Sequence, residues 1–86
     1  MSESFSELLR RVRGERSLAT FAAYLSGAPI HPDKPPVSKT VLFQWEHGIR
    51  RPGRENFDRV VWGLRAEVDR ATLANLWSVP LQRRAA

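Results

Sequence analysis

Within the stretch Ser38 to His47, Lys39, Thr40, Phe43 and Gln44 recur at a spacing that gathers them on one side of a helix. Their chemistry suits the reading of base edges in a major groove wide enough to admit one helix. Lysine can donate to guanine O6 and N7, glutamine can pair with adenine N6 and N7, threonine can bond a base edge or a phosphate, and a phenyl ring can lie on a thymine methyl. Leu42 and Trp45 then turn inward, so the segment has a core side and a free side. Phe43 has a second reading, in which its ring folds against a neighbouring loop. Arg50, Arg51 and Arg54 follow directly. With the hydroxyls of Ser17 and Ser38 at two expected helix starts, they are candidates for phosphate contacts that fix register without reading sequence. The plainer alternative for the arginines is a solvated turn.

Other chemistries have less to stand on. The chain has no cysteine, and its two histidines, His31 and His47, lack ligand spacing, so neither a disulfide framework nor a metal site is expected. There is no phosphate-cradling glycine loop and no histidine placed to activate a nucleophile. The expectation is a non-enzyme without a cofactor. Trp45, Trp62 and Trp77 amid basic residues could suggest stacking on single strands, but all three fall on or near core-facing stripes, where large rings are what a small core needs. Trp62 competes with Val61 and Leu64 for the inward face and could instead meet another subunit.

The formal net charge of +5 is unevenly placed. Arg10, Arg11, Arg13 and Arg16 form one group and Arg50, Arg51 and Arg54 another, whereas from Glu55 to Leu81 acids slightly outnumber bases. A polyanion would therefore meet the first half. With 86 residues, 42% of them hydrophobic, the chain suffices for one packed domain, 1–86, and not for two. No apolar run is long enough to cross a membrane and the N-terminus lacks a signal-peptide pattern. A cytoplasmic, nucleoid-associated location without a membrane partner is the corresponding expectation.

These side chains need helices to position them, and the periodicity supplies five. Phe5, Leu8, Leu9 and Val12 mark the first, ended by Gly14. Leu18, Phe21, Ala22 and Leu25 mark the second, opened by Ser17 and stopped at Ser26-Gly27. Residues 28–36 hold four of the six prolines and read as a stiff loop. Ser38 caps the third helix, 38–47, with Val37 as a hydrophobic staple and Gly48 as its end. Phe57, Val60, Val61 and Leu64 mark the fourth, and Asp69 caps a fifth carrying Leu73, Leu76 and Trp77, closed by Pro80. Residues 1–4 and 82–86 are expected to fray. The class is all-α.

The run from Val37 to Gly48, Val-Ser-Lys-Thr-Val-Leu-Phe-Gln-Trp-Glu-His-Gly, followed by Arg50-Arg51-Pro52, resembles the recognition-helix segment of the Cro/cI-type (xenobiotic-response-element) repressors. In that pattern a capping serine opens the helix, an aliphatic residue anchors its middle, and an aromatic-Glu-x-Gly stretch closes it before a basic turn and proline. Leu9 to Arg13, Phe21-Ala22 and Phe57 to Leu64 resemble the first, second and fourth helices. The chain departs from the pattern in the long link 28–36, in a shortened link between the first two helices, and in Leu18, where many relatives carry a phosphate-contacting glutamine. The resemblance implies a compact five-helix lambda-repressor-like helix-turn-helix domain. It also implies sequence-specific binding of double-stranded DNA as a transcriptional repressor or regulator, and a homodimer. Glu46, on a helix that approaches a polyanion, is expected to make an internal ion pair, and the resemblance names Arg13 first and Arg11 second as its partner. Leu73, Leu76 and Trp77 are the candidate dimer contact, unless they simply finish the core. The competing reading is a protein-binding module, antitoxin-like or a phage-encoded inhibitor, that grips a protein partner through the 28–36 loop. A nonspecific architectural DNA binder is a third reading, and a basic amphipathic membrane helix at Phe5 to Arg13 is the weakest.

Overall fold

In the computed structural model, which describes residues 3–79, five helices follow one another with no strand among the described residues. They are α1 (Phe5–Arg13), α2 (Leu18–Ser26), α3 (Lys39–Glu46), α4 (Arg54–Gly63) and α5 (Arg70–Ser78). The all-α expectation is met, and the helices begin where capping residues stand. Ser4, Ser17, Ser38 and Asp69 each accept a backbone N–H from three residues ahead, satisfying one of the donors a first turn leaves open. Ser4 was assigned to a fraying end by sequence; it is instead half of a capping box. Its hydroxyl accepts from Glu7 N at 3.1 Å while the Glu7 carboxylate accepts from Ser4 N at 3.0 Å, and Phe5 beside it is buried. Pro80 and the expected loose end 82–86 lie outside the described residues.

One cluster of apolar side chains joins all five helices. Leu8 and Leu9 of α1, Phe21 and Leu25 of α2, Leu42 and Trp45 of α3, Phe57 and Val60 of α4, and Leu73 of α5 are buried in it. Each such side chain stabilises the fold by about 1.5–3 kcal/mol. Helix α1 packs on α3 and α5, and α2 packs on both α3 and α4. At the α2–α4 crossing the space for a side chain is gone, since a Cβ on Gly63 would run into the Leu25 side chain. Trp77 completes the core at the far end. Its ring stacks on Phe57 at 4.4 Å between centroids, and its indole N–H donates to the Pro52 carbonyl at 2.7 Å.

The proline-rich loop is fastened at both edges. Val37 N donates to Ser26 Oγ at 2.8 Å, and that hydroxyl donates to Ala22 O at 2.7 Å, so the loop returns beside the helix it left. Over α4 it is held by Arg59. This guanidinium is buried and donates to the carbonyls of Pro35 at 2.7 Å, Lys34 at 2.8 Å and His31 at 3.4 Å. Prolines carry no N–H, so a loop built from them has more acceptors than donors and needs a donor from another element. His31, whose φ of 50° is left-handed, also reaches Asp58 Oδ2 through Nε2 at 2.8 Å. Among the described residues no helix is long and apolar enough to cross a membrane.

Candidate nucleic-acid interface

Helix α3 is held at its two ends by different means. At its C-terminal end Glu46 is almost wholly buried, 1% exposed, and its Oε2 accepts from Arg13 Nε at 2.8 Å. The same guanidinium donates through NH1 to Arg16 O at 2.8 Å, immediately before the Ser17 cap of α2. One arginine therefore ties α1 to the end of α3 and to the start of α2. Ser6 adds a bond from its hydroxyl to Trp45 O at 2.7 Å. Gly48, with φ of 68°, then turns the chain out of the helix in a conformation a Cβ would strain, and Ile49 N closes the turn on Gln44 O at 3.0 Å. At the N-terminal end the anchors are Ser38, which accepts from Val41 N at 3.1 Å, and the Ser26 bond to Val37 described above.

With both ends fixed, the helix has a definite inward side and a definite outward one. Leu42, Trp45 and Glu46 are buried. Lys39, Thr40 and Phe43 are exposed and Gln44 is half-buried, so the four candidate base readers share the solvent side and none enters the core. Phe43 is among the exposed large apolar side chains. It is 42% exposed, and its ring lies 4.1 Å from that of His47 one turn on, which adds an exposed imidazole to the same face. An open groove lined by Ala19, Ala23, Gly27 and Pro36 runs beside Lys39. Small side chains on that part of α2 keep the lysine uncrowded.

The candidate phosphate contacts divide. Arg50 and Arg54 are exposed beside the turn that follows α3, and among the described residues no carboxylate pairs with either, or with Lys39. Ser38 accepts from α3 and keeps its hydroxyl hydrogen available. Arg51 donates through one nitrogen to Trp77 O at 2.8 Å and Val79 O at 3.2 Å, so it also closes the C-terminal end of α5, where a cation meets the unpaired carbonyls, and the residue remains exposed. Ser17 departs from its expected role. Its oxygen accepts from Thr20 N and its hydroxyl bonds Thr20 Oγ1 at 2.8 Å, which commits the group as a cap.

Leu73 is fully buried, and Leu76 and Trp77 are half-buried against the core, the arrangement expected where these residues finish the core. Arg59, to which the sequence assigned no role, is the buried fastening of the loop, and His31, noted there only for lacking ligand spacing, is the second. A signal for both existed: residues 55, 58, 59 and 62 form one stripe of α4, opposite in character to the Phe57 and Val60 side, and a proline loop short of donors had to find them somewhere. Among the described residues no three His, Cys, Asp or Glu side chains gather as a metal site would require. In comparisons with known proteins, no family model, curated protein or solved structure matches this chain.

Proposed function

We propose that the chain is a helix-turn-helix reader of double-stranded DNA, with α3 entering the major groove and no catalytic step or cofactor. The observation that carries the proposal is the division of α3. Every residue whose chemistry can read a base edge, Lys39, Thr40, Phe43 and Gln44, lies on its solvent side, while Leu42, Trp45 and Glu46 lie inward. Burial of Glu46 against Arg13 supports the same reading, because it keeps a carboxylate off a face that meets a polyanion. Arg50 and Arg54, free of carboxylate partners among the described residues, then meet phosphates, with Ser38 at the start of α3 as a neutral donor to a third. The role is that of a transcriptional regulator of the repressor type, binding as a symmetric pair on half-sites about one duplex turn apart, since one short helix reads few base pairs.

Selection of a randomised duplex library by the purified protein at near-physiological salt tests this. A two-fold-symmetric motif is expected, and a Lys39→Ala/Gln44→Ala variant is expected to lose it. Absence of any enriched motif would instead favour the competing reading of a protein-binding module. The observation behind that reading is the loop 28–36, held in one conformation by Arg59 and exposing Pro29, Pro32, Pro35 and Pro36.

A further inference from the structure

A second surface, built on α2, α4 and the turns before α2 and after α4, with no residue of α3, carries a row of cations and rings. The Arg16 guanidinium lies 4.6 Å from the Phe21 ring centroid and 5.6 Å from that of Tyr24. Tyr24 and Trp62 are 5.6 Å apart, and Arg65 lies over Trp62 at 4.3 Å. Both cations are fastened to the backbone: Arg16 donates to Arg13 O at 3.2 Å and Val12 O at 2.9 Å, and Arg65 to Trp62 O at 2.6 Å. Tyr24 OH reaches Gly63 O at 3.3 Å, beside the glycine that lets α2 and α4 close on each other.

Two features of the row point to a ligand. Among the described residues neither Arg16 nor Arg65 has a carboxylate partner, although the chain pairs Arg11 and Arg13 with acids elsewhere. Between the two cations Tyr24 remains 39% exposed and Trp62 half-buried, which leaves aromatic area that water covers poorly. A guanidinium stacked on a ring and bonded to carbonyls on one edge still presents its other edge to an anion. Acid, apolar, acid is therefore the complementary order. A duplex backbone offers phosphates but no apolar group to cover the rings, and a single strand, whose bases need open ring faces, meets a Trp62 already covered by Arg65 and packed on Tyr24, so the pattern favours protein.

We infer that the Arg16–Tyr24–Trp62–Arg65 surface docks a protein segment in which acidic residues flank aliphatic or aromatic ones. This surface is separate from the α3 face, so it can be occupied while α3 is engaged, and the inference stands whether or not α3 reads DNA.

The test uses the full chain and a labelled 12-residue peptide with paired glutamates on either side of a Leu-Phe-Leu core, read by fluorescence anisotropy and by amide and indole chemical shifts. Saturable binding that shifts the Trp62 indole N–H and the Tyr24 amide is expected. Arg65→Gln, an exposed change that leaves the core intact, should weaken it at least five-fold while leaving duplex DNA affinity within two-fold. A peptide with serines in place of the apolar core should bind at least five-fold more weakly. Three results would overturn the inference: no shift at Trp62, equal binding by the serine peptide, or an Arg65→Gln loss of duplex affinity as large as its loss of peptide affinity, which would make the surface a phosphate track. Concentration-dependent dimerisation abolished by Arg65→Gln would overturn it too, by showing a second copy as the occupant.

Discussion

The molecule buries two arginine contacts for related purposes and satisfies them in opposite ways. At the C-terminal end of α3, Arg13 is paired with a carboxylate, Glu46, which is the more deeply buried of the two, 1% against 24% side-chain exposure. Over α4, Arg59 is itself buried and answers to the backbone carbonyls of a proline loop. The first fastening joins two helices through opposite charges; the second joins a helix to a loop through the loop's surplus of acceptors. Both bear on α3, one at its end and the other through the segment that leads into its start. The difference lies in what is stranded when a partner is removed, a charge in the first case and neutral carbonyls in the second.

That difference predicts an order of damage. Arg13→Ala strands a buried carboxylate and should cost about 3–5 kcal/mol, measured by urea unfolding. Glu46→Ala should cost less, because Arg13 is partly exposed and can rehydrate. Equal losses would show that the pair does not behave as a buried ion pair. Arg59→Ala should come next, at about 2–3 kcal/mol, and its effect should be local. Hydrogen exchange is expected to rise in 28–36 before it rises in the core, and a uniform rise would mean that the loop is part of the global folding unit.

Ser38→Ala removes the cap of α3 and should cost about 1 kcal/mol, seen as fraying at Lys39 and Thr40. The smallest effect is on acid stability. Hydrogen bonds from Thr72 hold the Asp69 carboxyl below its ordinary range, and the backbone and hydroxyl of Ser4 do the same for Glu7. Because the folded value is depressed, this stabilisation is present above the ordinary carboxylate range and fades as pH falls through it into more acid solution. Asp69→Asn should flatten that part of the pH profile, and an unchanged profile would show that the cap contributes no linkage.

The same contrast explains what the sequence made legible. Helices α1 to α5 follow from apolar spacing and from Ser17, Ser38 and Asp69, because capping and burial are local and periodic. An internal ion pair for Glu46 was legible from its charge on a helix facing a polyanion, and Arg13 as its partner came from the resemblance to a repressor recognition helix. Arg59 was legible only as part of the α4 stripe beside a donor-poor loop; its partners are carbonyl oxygens that every residue carries, so no residue type marks them. The second role of Arg51 was hidden for the same reason: its bonds go to the backbone of Trp77 and Val79. The role of Leu73, Leu76 and Trp77 stayed open between a dimer contact and the core, because an apolar stripe looks alike whether its own core or another copy covers it.

The central claim, that the solvent side of α3 reads base edges, is tested most directly by titrating a selected duplex and a scrambled one with the protein and with Lys39→Ala/Gln44→Ala. The account predicts a preference for the selected duplex that falls by about 2–6 kcal/mol in the variant if each lost base contact contributes about 1–3 kcal/mol, with Arg50 and Arg54 still giving salt-dependent binding to both duplexes. A preference that survives unchanged in a folded variant, or a wild-type protein that does not distinguish the two duplexes, would contradict it.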